Sequence, residues 1–143
     1  MSKSVLLVDD NHTVRKVIRD FFETLEDWDI RGDAADGPEA IHKAMELKPD
    51  LILMDLSMPR LNGIETASVV KKMLPDVRII LFTMFDCALG SRLSSAVGVE
   101  LVVPKAEGLT GLVKALNQLM ATREMEGGHT QAGRGETSAA KLP

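Results

Sequence analysis

The sequence has no tyrosine, one cysteine, one tryptophan and four phenylalanines, and it contains no long hydrophobic run. With Cys87 alone, no disulfide within the chain and no cysteine-based zinc site can form. The longest apolar stretches fall far short of the roughly 20 residues that cross a bilayer. The first of them, Val5–Val8, is too short for a secretory core and is closed by Asp9 and Asp10. No membrane association and a cytoplasmic location are therefore expected. The net charge is -4, which gives no general attraction for nucleic acid or anionic lipid, so this chain itself is not expected to bind DNA.

What is present is ordinary for a globular protein. The 143 residues, 45% hydrophobic and 27% charged, suit one core and one domain. Three short, wholly apolar runs stand out, Val5–Val8, Leu51–Met54 and Leu101–Val103, and a fourth, Val77–Phe82, is apolar but for Arg78. Runs of this length without alternation are strands buried on both faces. A weaker strand, Trp28–Ala35, is interrupted by Gly32.

Between the strands the period changes to that of helices. Val14, Val17, Ile18, Phe21, Phe22 and Leu25 share one helical face, with Asn11 or Thr13 as the cap. Gly37-Pro38 opens a second helix that runs to about Leu47, and a third spans about Ile64 to Leu74. A less regular fourth covers about Cys87 to Ala96. The fifth presents Leu109, Leu112, Val113, Leu116, Leu119 and Met120 on one side.

Five strands alternating with five helices, joined by short connections, predict an α/β fold with a parallel sheet covered on both faces. The domain is expected over residues 1–123. Residues 124–143, glycine-rich and without apolar periodicity, read as a disordered tail or linker.

In such sheets ligands sit beyond the carboxyl ends of the strands. Asp9 and Asp10 follow the first strand, Asp55 the third, Thr83 closes the fourth and Lys105 follows the fifth. Each alone has an ordinary explanation as a cap, a turn residue, a β-former or a solvated lysine. Together, at one sheet edge, they suggest chemistry. Three close carboxylates call for a hard divalent cation, and Mg2+ takes one or two carboxylates with water and phosphate oxygens. Asp10 and Asp55 are expected as direct ligands, with Asp9 acting through water or positioning the ion, and the Ser57 carbonyl adding an oxygen. A carboxylate can also attack phosphorus to form an aspartyl phosphate. The metal, Lys105 and the Thr83 hydroxyl would then each meet one phosphoryl oxygen.

The strand followed by Asp9-Asp10-Asn11, the stretch Asp55-Leu56-Ser57-Met58-Pro59-Arg60-Leu61-Asn62-Gly63, the strand end Leu81-Phe82-Thr83, and Lys105 resemble the receiver domain of two-component response regulators over about residues 3–122. The resemblance implies a flavodoxin-like, doubly wound (βα)5 fold with strand order 2-1-3-4-5. It implies Asp55 as phosphoacceptor from a sensor histidine kinase or phosphotransfer protein, and Asp9 and Asp10 as the metal-binding pair. Thr83 becomes the switch hydroxyl and Lys105 the phosphate-contacting lysine. It also implies a phosphorylation-activated switch, not a turnover enzyme, with self-catalysed transfer and autodephosphorylation only.

The readout surface implied is the fourth helix, fifth strand and fifth helix, with a homodimer through it as one form of output. Thr83-Met84-Phe85-Asp86 looks most like receivers of LuxR-type regulators. The alternative reading is therefore a receiver fragment of a DNA-binding transcriptional regulator whose helix-turn-helix domain is absent.

The sequence departs from the family pattern at two places. Val102 occupies the usual aromatic position three residues before the lysine, and Ala106 stands where a proline often follows it. Met84 stands where family members often have something small, and is expected to shield a phosphoryl group from water. A dehalogenase-type phosphatase would need an Asp-x-Asp motif after the first strand, and a flavin site a Ser/Thr/Gly-rich loop there. Asp9-Asp10-Asn11 is neither.

Overall fold

The computed structural model of the protein describes residues 2–56, 58, 62–84 and 97–132. Five strands form one sheet: β1 (Lys3–Val8), β2 (Trp28–Ala34), β3 (Leu51–Met54), β4 (Arg78–Thr83) and β5 (Leu101–Pro104), in the order β2-β1-β3-β4-β5. Every pairing is parallel, so the expected flavodoxin-like doubly wound topology is the observed one. The helices are α1 (His12–Phe22), α2 (Gly37–Leu47), α3 (Gly63–Met73) and α4 (Gly108–Ala132). The helix expected over Cys87–Ala96 lies outside the described residues, as does the chain from residue 133 onward. The last helix runs through Ala132, past the boundary at Arg123 that the glycine content of the segment suggests.

The apolar runs are continuous because each strand is buried on both faces. Val5, Leu7, Leu51, Leu53, Ile80 and Phe82 meet Ile18 and Phe22 of α1 and Leu112, Leu116 and Leu119 of α4. Their neighbours Leu6, Val8, Ile52, Met54, Ile79 and Leu81 meet Ala40 and Ala44 of α2 and Ala67 and Val70 of α3. The second layer is built on alanines, which let α2 and α3 lie close to the sheet. Val17 departs from the expected helical face. It is 50% exposed, at the margin of a stripe whose centre is Ile18 and Phe22.

Gly32 interrupts β2 for a reason of packing. A Cβ there would lie 2.8 Å from Leu47 Cδ1. The register beside it shifts between Val5 and Leu6, which leaves Arg31 as an extra residue on β2. Pro104 ends β5 at the sheet edge, where a missing N–H costs no ladder bond.

Candidate functional site

The carboxyl ends of β1, β3, β4 and β5 lie together because the strands are parallel and in register, with Val8 opposite Met54, Met54 opposite Leu81 and Thr83 opposite Pro104. Backbone bonds carry the order one residue further. The Asp55 N–H donates to the Val8 carbonyl at 2.9 Å, and the Asp9 N–H donates to the Ala34 carbonyl at 3.1 Å. The two aspartates are therefore fixed by the sheet, and not by a loop.

Asp9, Asp10 and Asp55 each bring a carboxylate oxygen within 4.8 Å of the others. Asp9 is 2% exposed, Asp55 is 8% exposed, and Asp10 faces solvent. Lys105, first residue of a short 3-10 turn after β5, reaches into this group. Its Nζ lies 2.9 Å from Asp9 Oδ2 and 3.5 Å from Asp55 Oδ2. The other Asp9 oxygen, Oδ1, accepts the Asn11 N–H at 2.9 Å. Asn11 in turn caps α1, accepting from the Val14 N–H at 3.0 Å. Thr83 is fully buried at the end of β4 on the same edge. Three carboxylates against one ammonium leave this edge short of positive charge, with Asp10 on its open side.

The site residues expected from the sequence thus converge, apart from Ser57, which lies outside the described residues. Met84 follows Thr83 and is 78% exposed. Val102 is half-buried against the cluster formed with α2 and α3.

Two residues of the site were not anticipated. Gly63 opens α3 and donates to the Leu56 carbonyl at 2.7 Å, and a Cβ on it would sit 2.5 Å from the Asp55 carbonyl oxygen and 2.9 Å from Leu56 Cα. The chain on either side of the loop after Asp55 therefore touches backbone to backbone. A full capping box, Asn62 with Glu65, fixes the start of α3 there. The motif Asn62-Gly63 carries this signal, but only the fold shows what the glycine touches. Arg15 is the second. Its Nη1 donates to the Asp9 backbone carbonyl at 2.5 Å. No local pattern announces that contact.

Among the described residues, no helix is long and apolar enough to cross a membrane. The family model of the response regulator receiver domain matches residues 5–117. The response regulator protein VraR of Staphylococcus epidermidis is 46% identical over 85 residues, which is 59% of this chain and 41% of that protein. The chain thus spans less than half the length of the curated relatives it matches. A two-component response regulator of the LuxR family from Aurantimonas sp. SI85-9A1 superposes with a TM-score of 0.80 at 29% identity, over 85% of this chain and 87% of that one. The response regulator domain of Thermotoga maritima CheB gives a TM-score of 0.73 at 34% identity, over 87% of this chain and 96% of that one.

Proposed function

The chain belongs to the response regulator receiver domain family of two-component systems, and from that premise we propose that it is a phosphorylation-activated switch whose phosphoacceptor is Asp55. The observation that carries this reading is Lys105 lying between two buried carboxylates, Asp9 and Asp55, with Asp10 open to solvent beside them. The donor set fits Mg2+: it is all oxygen, carries more negative than positive charge, and keeps one side free for water and phosphate oxygens. Asp9, Asp10 and Asp55 would hold the ion, with the Ser57 carbonyl as a further donor. When bound, it neutralises charge on the phosphoryl oxygens.

The chain's own groups do the rest. An Asp55 carboxylate oxygen attacks the phosphorus of a phosphohistidine. The new O–P bond forms as the P–N bond breaks, and the imidazole nitrogen leaves with the electron pair. The β1 and β2 backbone holds Asp55 and Asp9 still during transfer, which is what in-line geometry requires. Lys105 is already within 3.5 Å of the Asp55 oxygen and pairs with the phosphoryl group. Thr83, buried at the end of β4, supplies the hydroxyl that follows the new charge. The chemistry proposed is one transfer and its own hydrolysis, that of a switch in place of a turnover enzyme.

The donor is a sensor histidine kinase or phosphotransfer protein of the cytoplasm. The readout surface is the one the resemblance implies, built around β5 and α4, through which a homodimer is one form of output. Val102 packs on the α2 and α3 side of the sheet, so switching proceeds without an aromatic rotamer at that position. The second reading is a receiver fragment of a DNA-binding transcriptional regulator. It is favoured by the match covering 41% of the VraR relative.

The test is intact-mass measurement after incubation with Mg2+ and acetyl phosphate. One phosphoryl adduct is expected in the native protein and none in Asp55→Asn. An undiminished adduct in that variant would overturn the assignment.

A further inference from the structure

Three cationic side chains project from α1, and they are used differently. Lys16 pairs with Asp20 at 3.1 Å, and Arg19 pairs with Asp33 at 2.6 Å. Arg15 is paired with no carboxylate among the described residues. Its guanidinium is spent on a neutral acceptor, the backbone carbonyl of Asp9, in a half-buried position.

That carbonyl has a particular place in the chain. It belongs to the peptide plane shared by Asp9 and Asp10, and a trans peptide is rigid. Fixing its oxygen holds the plane, and with it the N–Cα bond of Asp10 from which the side chain is set. Asp9 has other anchors: its N–H is on β2, and its carboxylate is held by Asn11 and Lys105. Asp10 has none among the described residues. Its side chain is exposed, and only the backbone aims it at the other two carboxylates.

We propose that Arg15 is a positioning residue for the cation site: by holding the Asp9 carbonyl, it sets the direction from which the Asp10 carboxylate meets a divalent ion. The proposal rests on the Mg2+ reading above. It makes a prediction opposite in sign to plain electrostatics. A positive charge beside a cation site weakens binding, so removing a guanidinium that acted only through its charge would tighten Mg2+ binding. Removing one that positions a ligand loosens it.

The test is calorimetric titration of Mg2+ into the native protein, Arg15→Met and Arg15→Lys, well below their unfolding temperatures. Arg15→Met is expected to bind about 10-fold more weakly, the usual loss when a partner of a metal ligand is removed. Arg15→Lys, which keeps the charge and one donor, is expected to fall between Arg15→Met and the native protein. Adding Arg15→Met to Asp10→Asn should give no further loss, because the two act through one carboxylate. A purely stabilising role would lower the melting temperature without this coupling.

Equal or tighter binding in Arg15→Met overturns the proposal. If that variant does not fold, equal or tighter binding in Arg15→Lys does so. A native protein that takes up no Mg2+ overturns the site reading itself, an outcome distinct from native binding that Arg15 substitutions leave unchanged.

Discussion

Strand β3 has an aspartate at each end, and the two are treated in opposite ways. Asp50, just before the strand, is closed off. Its Oδ2 accepts the Ser4 N–H at 2.8 Å and the Ser4 hydroxyl at 3.3 Å, and its own N–H donates to the Ser4 carbonyl at 2.9 Å. Asp55, just after the strand, meets Lys105 at 3.5 Å and lies within 4.8 Å of two further carboxylates. One is a structural joint between β1 and β3. The other belongs to a group of like charges that the fold holds together at some expense in stability. The difference comes from strand direction. In a parallel sheet every amino end shares one edge and every carboxyl end the other, so the neighbours of Asp50 are Ser4 and the Arg78 backbone, while those of Asp55 are the acids after β1 and the lysine after β5.

The strongest way to break this contrast is at Gly63, where the chain touches the Asp55 backbone. Gly63→Ala forces a Cβ against a carbonyl that cannot move aside. A loss of about 3 kcal/mol is expected in chemical denaturation, together with reduced phosphoryl uptake. A stable, fully active variant would mean the contact is not needed.

The amino edge gives the next largest effect. Asp50→Ala strips the Ser4 N–H and hydroxyl of their acceptor. It is expected to cost about 1–2 kcal/mol by urea unfolding and to leave Mg2+ binding and adduct formation as they were. Loss of phosphorylation at full stability would erase the distinction between the two ends.

Asp10→Asn sharpens the comparison by reversing the sign. Removing one of three mutually repelling carboxylates is expected to stabilise the metal-free protein, by up to about 1 kcal/mol given the exposure of the side chain. Mg2+ affinity should fall at the same time. A destabilised Asp10→Asn would place Asp10 with Asp50 as a structural residue.

The smallest effect is expected at Met84. With 78% of the side chain exposed, its shielding of the site is limited. Met84→Ala should speed loss of the adduct by only about twofold, in line with the few tenths of a kcal/mol that surface changes carry. Identical decay rates would remove Met84 from the site altogether.

Much of the architecture was legible in local pattern. The apolar runs named the strands because burial on both faces leaves no polar alternation. Asn11 and Pro38 marked helix starts through chemistry that is local to a turn. Val17 was misplaced because helical periodicity gives a stripe without its edges, and which edge is covered depends on how the helix lies on the sheet. Arg15 was missed because its contact is with a backbone oxygen, which has no sequence signature. Gly63 was visible as part of the stretch that carries the resemblance, but its contact with the Asp55 carbonyl depends on how α3 meets the end of β3.

By itself the sequence determined a doubly covered parallel sheet and the row of polar residues at its carboxyl edge, since periodicity, capping and turn chemistry act over a few neighbouring residues. Only the tertiary structure decided the rest: that Lys105 lies closer to Asp9 than to Asp55, that Asp50 is closed by Ser4, and that Arg15 donates to the Asp9 carbonyl. Those contacts join residues up to 96 positions apart. The Lys105 and Asp50 contacts exist because strand order sets which ends become neighbours, and the Arg15 contact because α1 folds back over the end of β1.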